Sequence, residues 1–220
     1  MNKKKIFCTL GPSSLNPSFL KFANNKIDLL RLNMSHVKIE QLEKYIKLIK
    51  KYSKVPICID TEGAQIRSKV KKERFYKKNS KLEISNKKNF SLYPESVFNQ
   101  MKVGDILDIG FDGLKSQIKR KTKNIIVGKV INPGRLENNK GIHVVNRKIK
   151  LNYITEKDIE AIKIGKKNKI VNYALSFVNS DEDIEKFFKI LPKENKIFKL
   201  ETKSAIKNLS SIFKKGNNFL

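Results

Sequence analysis

The chain has 220 residues, with 48 Lys and Arg against 21 Asp and Glu, a formal net charge of +27 and 39% hydrophobic residues. That is enough for one large domain or two small ones with a real core, and periodic blocks of Ile, Leu, Val and Phe exclude a disordered tail. No apolar run is long enough to span a membrane, and the run after the basic start, Ile6–Leu10, is too short for a signal peptide.

Cys8 and Cys58 cannot build a disulfide framework or a zinc site by themselves. A reduced, cytoplasmic protein with two small buried thiols is expected. The positive charge is nearly all lysine: the only arginines are Arg31, Arg67, Arg74, Arg120, Arg135 and Arg147. Lysines spread along the whole chain read as a compositional bias that decorates every exposed face. Proteins that read bases or clamp phosphates lean on the arginine fork. Neither a membrane nor a nucleic acid is therefore expected as a partner, although a basic nucleic-acid-binding protein stands as an alternative.

In chain order, Ile6–Leu10 reads as a strand ended by Gly11-Pro12. Asn16 reads as an N-cap with Pro17 at the first helical position. The helix it opens carries Phe19, Leu20 and Phe22 and fades at Asn24-Asn25. Ile27–Leu32 is a second strand. Leu42, Tyr45, Ile46 and Ile49 fall at helical spacing with Lys44, Lys47 and Lys50 opposite them, an amphipathic helix. Pro56–Asp60 is a third strand. Apolar strands alternating with helices imply parallel strands covered by helices.

From about Val70 the texture changes. Leu82–Ile84, Phe90–Tyr93, Ile106–Ile109, Ile118, Ile125–Val127 and Val130-Ile131 are short segments broken by Gly104-Asp105, Asp112-Gly113 and Asn132–Gly134, a hairpin-rich β region. The βα rhythm then returns. Thr155 caps a helix to about Lys167, Tyr173–Val178 is a strand, and Ser180 caps a helix to Leu191. Lys196–Glu201 is a strand, Ser204–Lys215 a helix, and Phe219-Leu220 the opening of one more strand. The expected fold is α/β: a partial TIM-type (β/α) barrel over residues 1–69 and 151–220, with a small all-β domain inserted over 70–150.

Chemistry in such a barrel collects at the carboxyl ends of the strands. Those ends carry Thr9–Pro12, Arg31–His36, Asp60–Arg67, Ser176-Phe177 and Lys199–Thr202. Two scarce arginines among them argue for a planar, bidentate task, most simply a phosphate. Asp60 and Glu201 offer the oxygens that hard cations want. Anion clamps beside metal carboxylates suit phosphoryl transfer.

These blocks also carry a resemblance. Cys8–Ser14, Arg31–His36, Asp60–Arg67 and Lys199–Glu201 resemble pyruvate kinase in order and in the place of the β insert, and Gly113, the Lys140-Gly141 step and Thr155–Asp158 match its inserted domain and exit. The resemblance implies phosphoryl transfer from phosphoenolpyruvate to ADP, giving pyruvate and ATP, with Mg²⁺ or Mn²⁺ and with K⁺. It implies that Arg31 holds the substrate phosphate and Lys199 stabilises the phosphoryl group in flight. Asn33, His36, Arg67 and Lys140 would contact the nucleotide, and Glu201 the divalent metal. Asn33, Ser35, Asp60 and Thr61 would ring a potassium ion. It also implies a homo-oligomer or a complementary chain, because a second metal carboxylate belongs to the strand opening at Phe219-Leu220. A noncatalytic remnant or subunit is the other alternative. The family commonly has lysine, proline and glutamate where this chain has Glu62, Ala64 and Gln65, and a glycine where it has Val37.

Overall fold

A computed structural model of the protein describes residues 4–110, 113–216 and 218. The chain divides into two compact units, residues 1–64 with 152–220, and residues 65–151. Strand β1 (Phe7–Thr9) leads to helix α1 (Pro17–Ala23), where Asn16 accepts the Phe19 N–H at 3.0 Å and Pro17 opens the first turn. An N-cap acceptor and a pre-set φ are the two start signals present in the sequence. Strand β2 (Leu29–Asn33) and helix α2 (Ile39–Tyr52) follow. Helix α2 buries Leu42, Ile46 and Ile49 against the sheet, each burial stabilising by roughly 1.5–3 kcal/mol. Strand β3 (Ile57–Asp60) is buried at every position, as expected of a central strand covered on both faces.

The second unit begins with β4 (Ile66–Val70), β5 (Arg74–Tyr76), β6 (Lys81–Ile84) and β7 (Phe90–Tyr93), then the short helix α3 (Ser96–Gln100). It continues with β8 (Ile106–Ile109), β9 (Leu114–Lys121), β10 (Ile126–Asn132), β11 (Gly134–Leu136) and β12 (Gly141–Val144). Seven of these strands form one antiparallel sheet in the order β6-β10-β9-β8-β12-β4-β7, and β11 pairs with β5. Leu82, Phe90, Leu107, Ile109, Leu114 and Ile126 centre its core. Arg147 closes it with a two-pronged bond to Asp105 at 2.6 and 2.7 Å. The strand β4 starts earlier than the texture change near Val70, so Arg67 stands on a strand of this unit. Asp112 lies outside the described residues.

Back in the first unit, α4 (Glu156–Lys167), β13 (Asn172–Leu175), α5 (Asp181–Ile190), β14 (Asn195–Phe198), α6 (Lys203–Lys207) and α7 (Leu209–Lys215) complete the chain. The helix read over Ser204–Lys215 is two pieces broken at Asn208, and the strands are shorter than their apolar runs. All five strands are parallel, in the order β1-β2-β3-β13-β14. The fold is thus α/β, part of a (β/α) barrel with a small unit between its third and fourth strands that is β apart from the short helix α3, not all-β as expected. The Phe198 N–H donates to Asn218 O at 2.8 Å, so the chain returns to the edge of β14 at Asn218. Phe219 and Leu220, read as the opening of a further strand, lie outside the described residues. No helix among the described residues is long and apolar enough to cross a membrane.

Helix α4 begins in a reciprocal cap. Thr155 Oγ1 accepts the Asp158 N–H at 3.1 Å, and Asp158 Oδ2 accepts the Thr155 N–H at 3.0 Å. The same fully buried carboxylate reaches the loop after β3, accepting the Glu62 N–H at 2.6 Å and the Gly63 N–H at 3.1 Å. Asp158 therefore ties a helix start to the turn that follows the most buried strand. Asp158→Ala leaves those N–H groups buried and unpaired, and should lower the unfolding free energy by about 3 kcal/mol. Urea unfolding checks this, and a loss below about 0.5 kcal/mol would show that the turn holds itself.

Candidate active site at the strand ends

Side chains on a strand alternate between faces, and the register fixes which residues share one. Leu29, Cys58, Ala174 and Ile197 pack together on one face of the parallel sheet, apart from the larger cluster under the helices. Two residues further along β2 and β3 stand Arg31 and Asp60. The same step from Ala174 and Ile197 reaches Ser176 and Lys199, just past the ends of β13 and β14. Along each strand the polar residue thus follows the apolar one by one step on the same face, with Arg31 paired beside Cys58 and Asp60 beside Ala174. Burial in the apolar set pushes the Cys58 thiol up to about 12, so Cys58 is an inert packing residue.

The polar set converges on Asp60, which is fully buried. Lys199 Nζ donates to Asp60 Oδ2 at 3.0 Å, and Arg31 Nε lies 3.4 Å from the same oxygen. Ser176 Oγ lies 3.1 Å from Asp60 Oδ1 and 2.6 Å from Thr61 O, its proton shared between them. Burial pushes the Asp60 carboxyl above its ordinary value. The Lys199 ammonium, the Arg31 guanidinium and the Ser176 hydroxyl pull it back only part of the way. Lys199 also faces Glu201, with Nζ 3.5 Å from Oε1. Glu201 is held from its other side by the Phe177 N–H, which donates to Oε2 at 3.0 Å. Among the described residues no hydrogen-bond acceptor meets the Arg31 guanidinium, although it is part of the ion pair with Asp60.

The turn after β3 fits against this polar set. Gly63 has φ +70°, and a Cβ there would stand 2.8 Å from Ser176 Cβ and 2.9 Å from Ser176 O. Both the left-handed backbone and the space require glycine. Beside it Glu62 is buried, with Oε2 3.3 Å from Lys157 Nζ, which also donates to Met34 O, while Oε1 has no hydrogen-bond partner among the described residues.

The remaining sequence-predicted residues fall into two groups. In the first unit, Asn33 Oδ1 accepts the Ser35 N–H at 2.9 Å and Asn33 O accepts the N–H of exposed His36. Thr61 Oγ1 accepts the Ser176 N–H at 3.0 Å. In the second unit, Arg67 donates through one terminal nitrogen to Asn139 O at 3.0 Å. There too, Lys140 Nζ lies 3.5 Å from Glu137, and its N–H donates to Ser68 Oγ. The structure thus brings Arg31, Asp60, Thr61, Lys199 and Glu201 together and gives Arg67 and Lys140 partners within their own unit. Sequence reasoning placed Ser176 at a strand end without a specific role and read Asp158 only as part of the helix cap at Thr155. The signal for Ser176 was a hydroxyl directly after the apolar run Tyr173–Leu175.

A cluster of fixed cations and carboxylates at the carboxyl ends of parallel strands can bind an anion and one hard cation. The model of the family described as "Pyruvate kinase, barrel domain" matches residues 1–220. The chain belongs to the pyruvate kinase family. It is 32% identical to plastidial pyruvate kinase 3, chloroplastic, of Arabidopsis thaliana, over 96% of this chain and 40% of that protein. It is 30% identical to pyruvate kinase of Staphylococcus aureus (strain USA300), over 100% of this chain and 41% of that protein. Pyruvate kinase isozyme G, chloroplastic, of Nicotiana tabacum is similar at 30% identity. The chain spans about two fifths of the length of these pyruvate kinases.

The donors fit a divalent ion at one point. Glu201 is part-exposed, and among the described residues its Oε1 meets only the Lys199 ammonium at 3.5 Å, so it can give Mg²⁺ one carboxylate, with substrate oxygens and water supplying the rest. Among the described residues no three His, Cys, Asp or Glu side chains gather as a metal cage. The oxygens expected to ring potassium are partly engaged within the fold. Asp60 is answered by two cations, and the Asn33 and Thr61 oxygens already accept N–H or O–H groups.

Asp60→Asn tests which force governs the buried carboxyl. Because burial raises its folded-state value, the folded protein holds the proton more tightly than the unfolded chain. The resulting stability is full below the unfolded value of about 3.9 and is lost as pH rises through the folded one. The stability of the wild type relative to Asp60→Asn, from urea unfolding, should therefore fall as pH rises above about 4. A difference that grows with pH would mean that Lys199 and Arg31 outweigh burial.

Proposed function

We propose that this chain carries the phosphoryl-binding half of a pyruvate kinase site and acts in phosphoryl transfer from phosphoenolpyruvate to ADP. The observation that carries the reading is the meeting of Arg31, on β2, and Lys199, just past β14, on one buried carboxylate oxygen, with Glu201 beside Lys199. Charge on a migrating phosphoryl group is spread over its outer oxygens, so the protein's work is to fix cations in place rather than to attack. Arg31 offers a guanidinium whose terminal nitrogens meet no acceptor among the described residues, suited to the substrate phosphate. Lys199, tethered between Asp60 and Glu201, would hold its ammonium where charge develops. Glu201 would hold Mg²⁺, which when bound neutralises phosphate oxygens. On this reading Asn33 and His36 lie on the nucleotide's side, and Arg67 and Lys140 contribute from the second unit. Relatives more than twice as long leave room for a complementary chain or a homo-oligomer in the working enzyme.

The purified chain should bind phosphoenolpyruvate in the presence of Mg²⁺, measured by titration calorimetry, and Arg31→Ala and Lys199→Ala should each weaken binding at least about ten-fold. In a pyruvate-forming assay, Lys199→Ala should lower turnover by about 10²–10³-fold. Equal binding by the wild type and by folded Lys199→Ala and Arg31→Ala variants would overturn the reading.

A further inference from the structure

Lys199 sits between two carboxylates, and each is gripped on its far oxygen by one of two consecutive residues. Asp60 presents Oδ2 to Lys199 Nζ at 3.0 Å, while its Oδ1, 3.1 Å from Ser176 Oγ, shares that hydroxyl's proton with Thr61 O at 2.6 Å. Glu201 presents Oε1 to Nζ at 3.5 Å, while its Oε2 takes the Phe177 N–H at 3.0 Å. Ser176 is itself fixed: its N–H donates to Thr61 Oγ1 at 3.0 Å, and its side chain packs on Gly63. Phe177 adopts φ +56°, an unfavourable conformation for a bulky residue. That conformation accompanies an N–H turned toward Glu201. A carboxylate held at one oxygen cannot swing freely, so both anions facing Lys199 have restricted orientation.

We propose that Ser176 and Phe177 form a positioning clamp that aims the Lys199 ammonium through Asp60 and Glu201. The clamp rests on the proposed role of Lys199, but its geometry can be tested apart from any turnover. Ser176 acts through its side chain and Phe177 through its backbone. The two positions therefore differ in what a substitution should do.

Brief acetylation of the full chain, followed by peptide mass spectrometry, reads the freedom of each lysine. Lys199, with its side chain 11% exposed, should react more slowly than Lys163, which is 70% exposed. Ser176→Ala should raise the Lys199-to-Lys163 labelling ratio roughly five-fold. Ser176→Thr keeps the hydroxyl and should restore the ratio, and Phe177→Gly keeps the N–H and should leave it unchanged. If Ser176→Ala does not fold, Ser176→Cys, a weaker donor of similar size, should show the same direction of change. An unchanged ratio in a Ser176 variant with the wild-type urea midpoint would overturn the clamp. Where the wild type binds phosphoenolpyruvate, Ser176→Ala should weaken that binding several-fold while Phe177→Gly does not. Absence of binding by the wild type would sink the functional reading and leave the labelling ratio to decide the clamp.

Discussion

A carboxylate without solvent exposure must be answered by charge and hydrogen bonds, and the polar set on one face of the parallel sheet is arranged around that demand at Asp60. Lys199 and Arg31 answer one oxygen and Ser176 the other. Removing one member of such a group leaves the rest buried and uncompensated, which typically costs about 3–5 kcal/mol. The arrangement is therefore coupled. Arg31 comes from β2, Asp60 from β3, Ser176 from beyond β13 and Lys199 from beyond β14. Four strand ends thus share one electrostatic condition.

That condition is possible because of what precedes it along the strands. Leu29, Cys58, Ala174 and Ile197 make a small apolar cluster, and the two-residue period of a strand carries their neighbours onto the same face one step further along. A shift of one residue in β2 or β3 would turn Arg31 or Asp60 toward the helix-covered side, among Leu32, Ile59 and Leu175. The large apolar cluster under the helices thus fixes the register, and the register fixes the site.

Much of this was legible in the residues. The Asn16-Pro17 start, the Leu42/Ile46/Ile49 stripe and the caps at Thr155 and Ser180 each involve neighbours in sequence, and each forms as read. Strand ends were overextended because apolar runs such as Tyr173–Val178 continue past the last strand residue: Phe177 leaves the extended path at φ +56°, although the Val178 N–H still donates to Lys199 O at 3.2 Å. The break at Asn208 was hidden because Ser204–Lys215 is polar and apolar at nearly helical spacing on both sides of it. Asp158 looked like one half of a cap, and nothing local says that its carboxylate also reaches Glu62 and Gly63, which lie 96 and 95 residues away. Long-range partners of polar residues have no periodic signature.

The scarcity of arginine deserves a narrower meaning than it first suggests. Arg147 spends its fork on Asp105, Arg74 stacks on Tyr76, and Arg67 reaches a carbonyl, all within the second unit. Rarity alone therefore marks a need for planar geometry, structural or otherwise. Arg31 differs in what surrounds it. Its Nε is buried beside Asp60 while no acceptor among the described residues meets the guanidinium, so the fork is anchored by charge and its bonding capacity is unspent. An anion arriving there meets a cation already anchored at Nε, with its side chain 27% exposed, so part of the reorganisation that weakens freely exposed lysines as anion binders is complete before binding. Lys199 stands apart among the described lysines for a related reason: its side chain is 11% exposed and its ammonium faces two carboxylates.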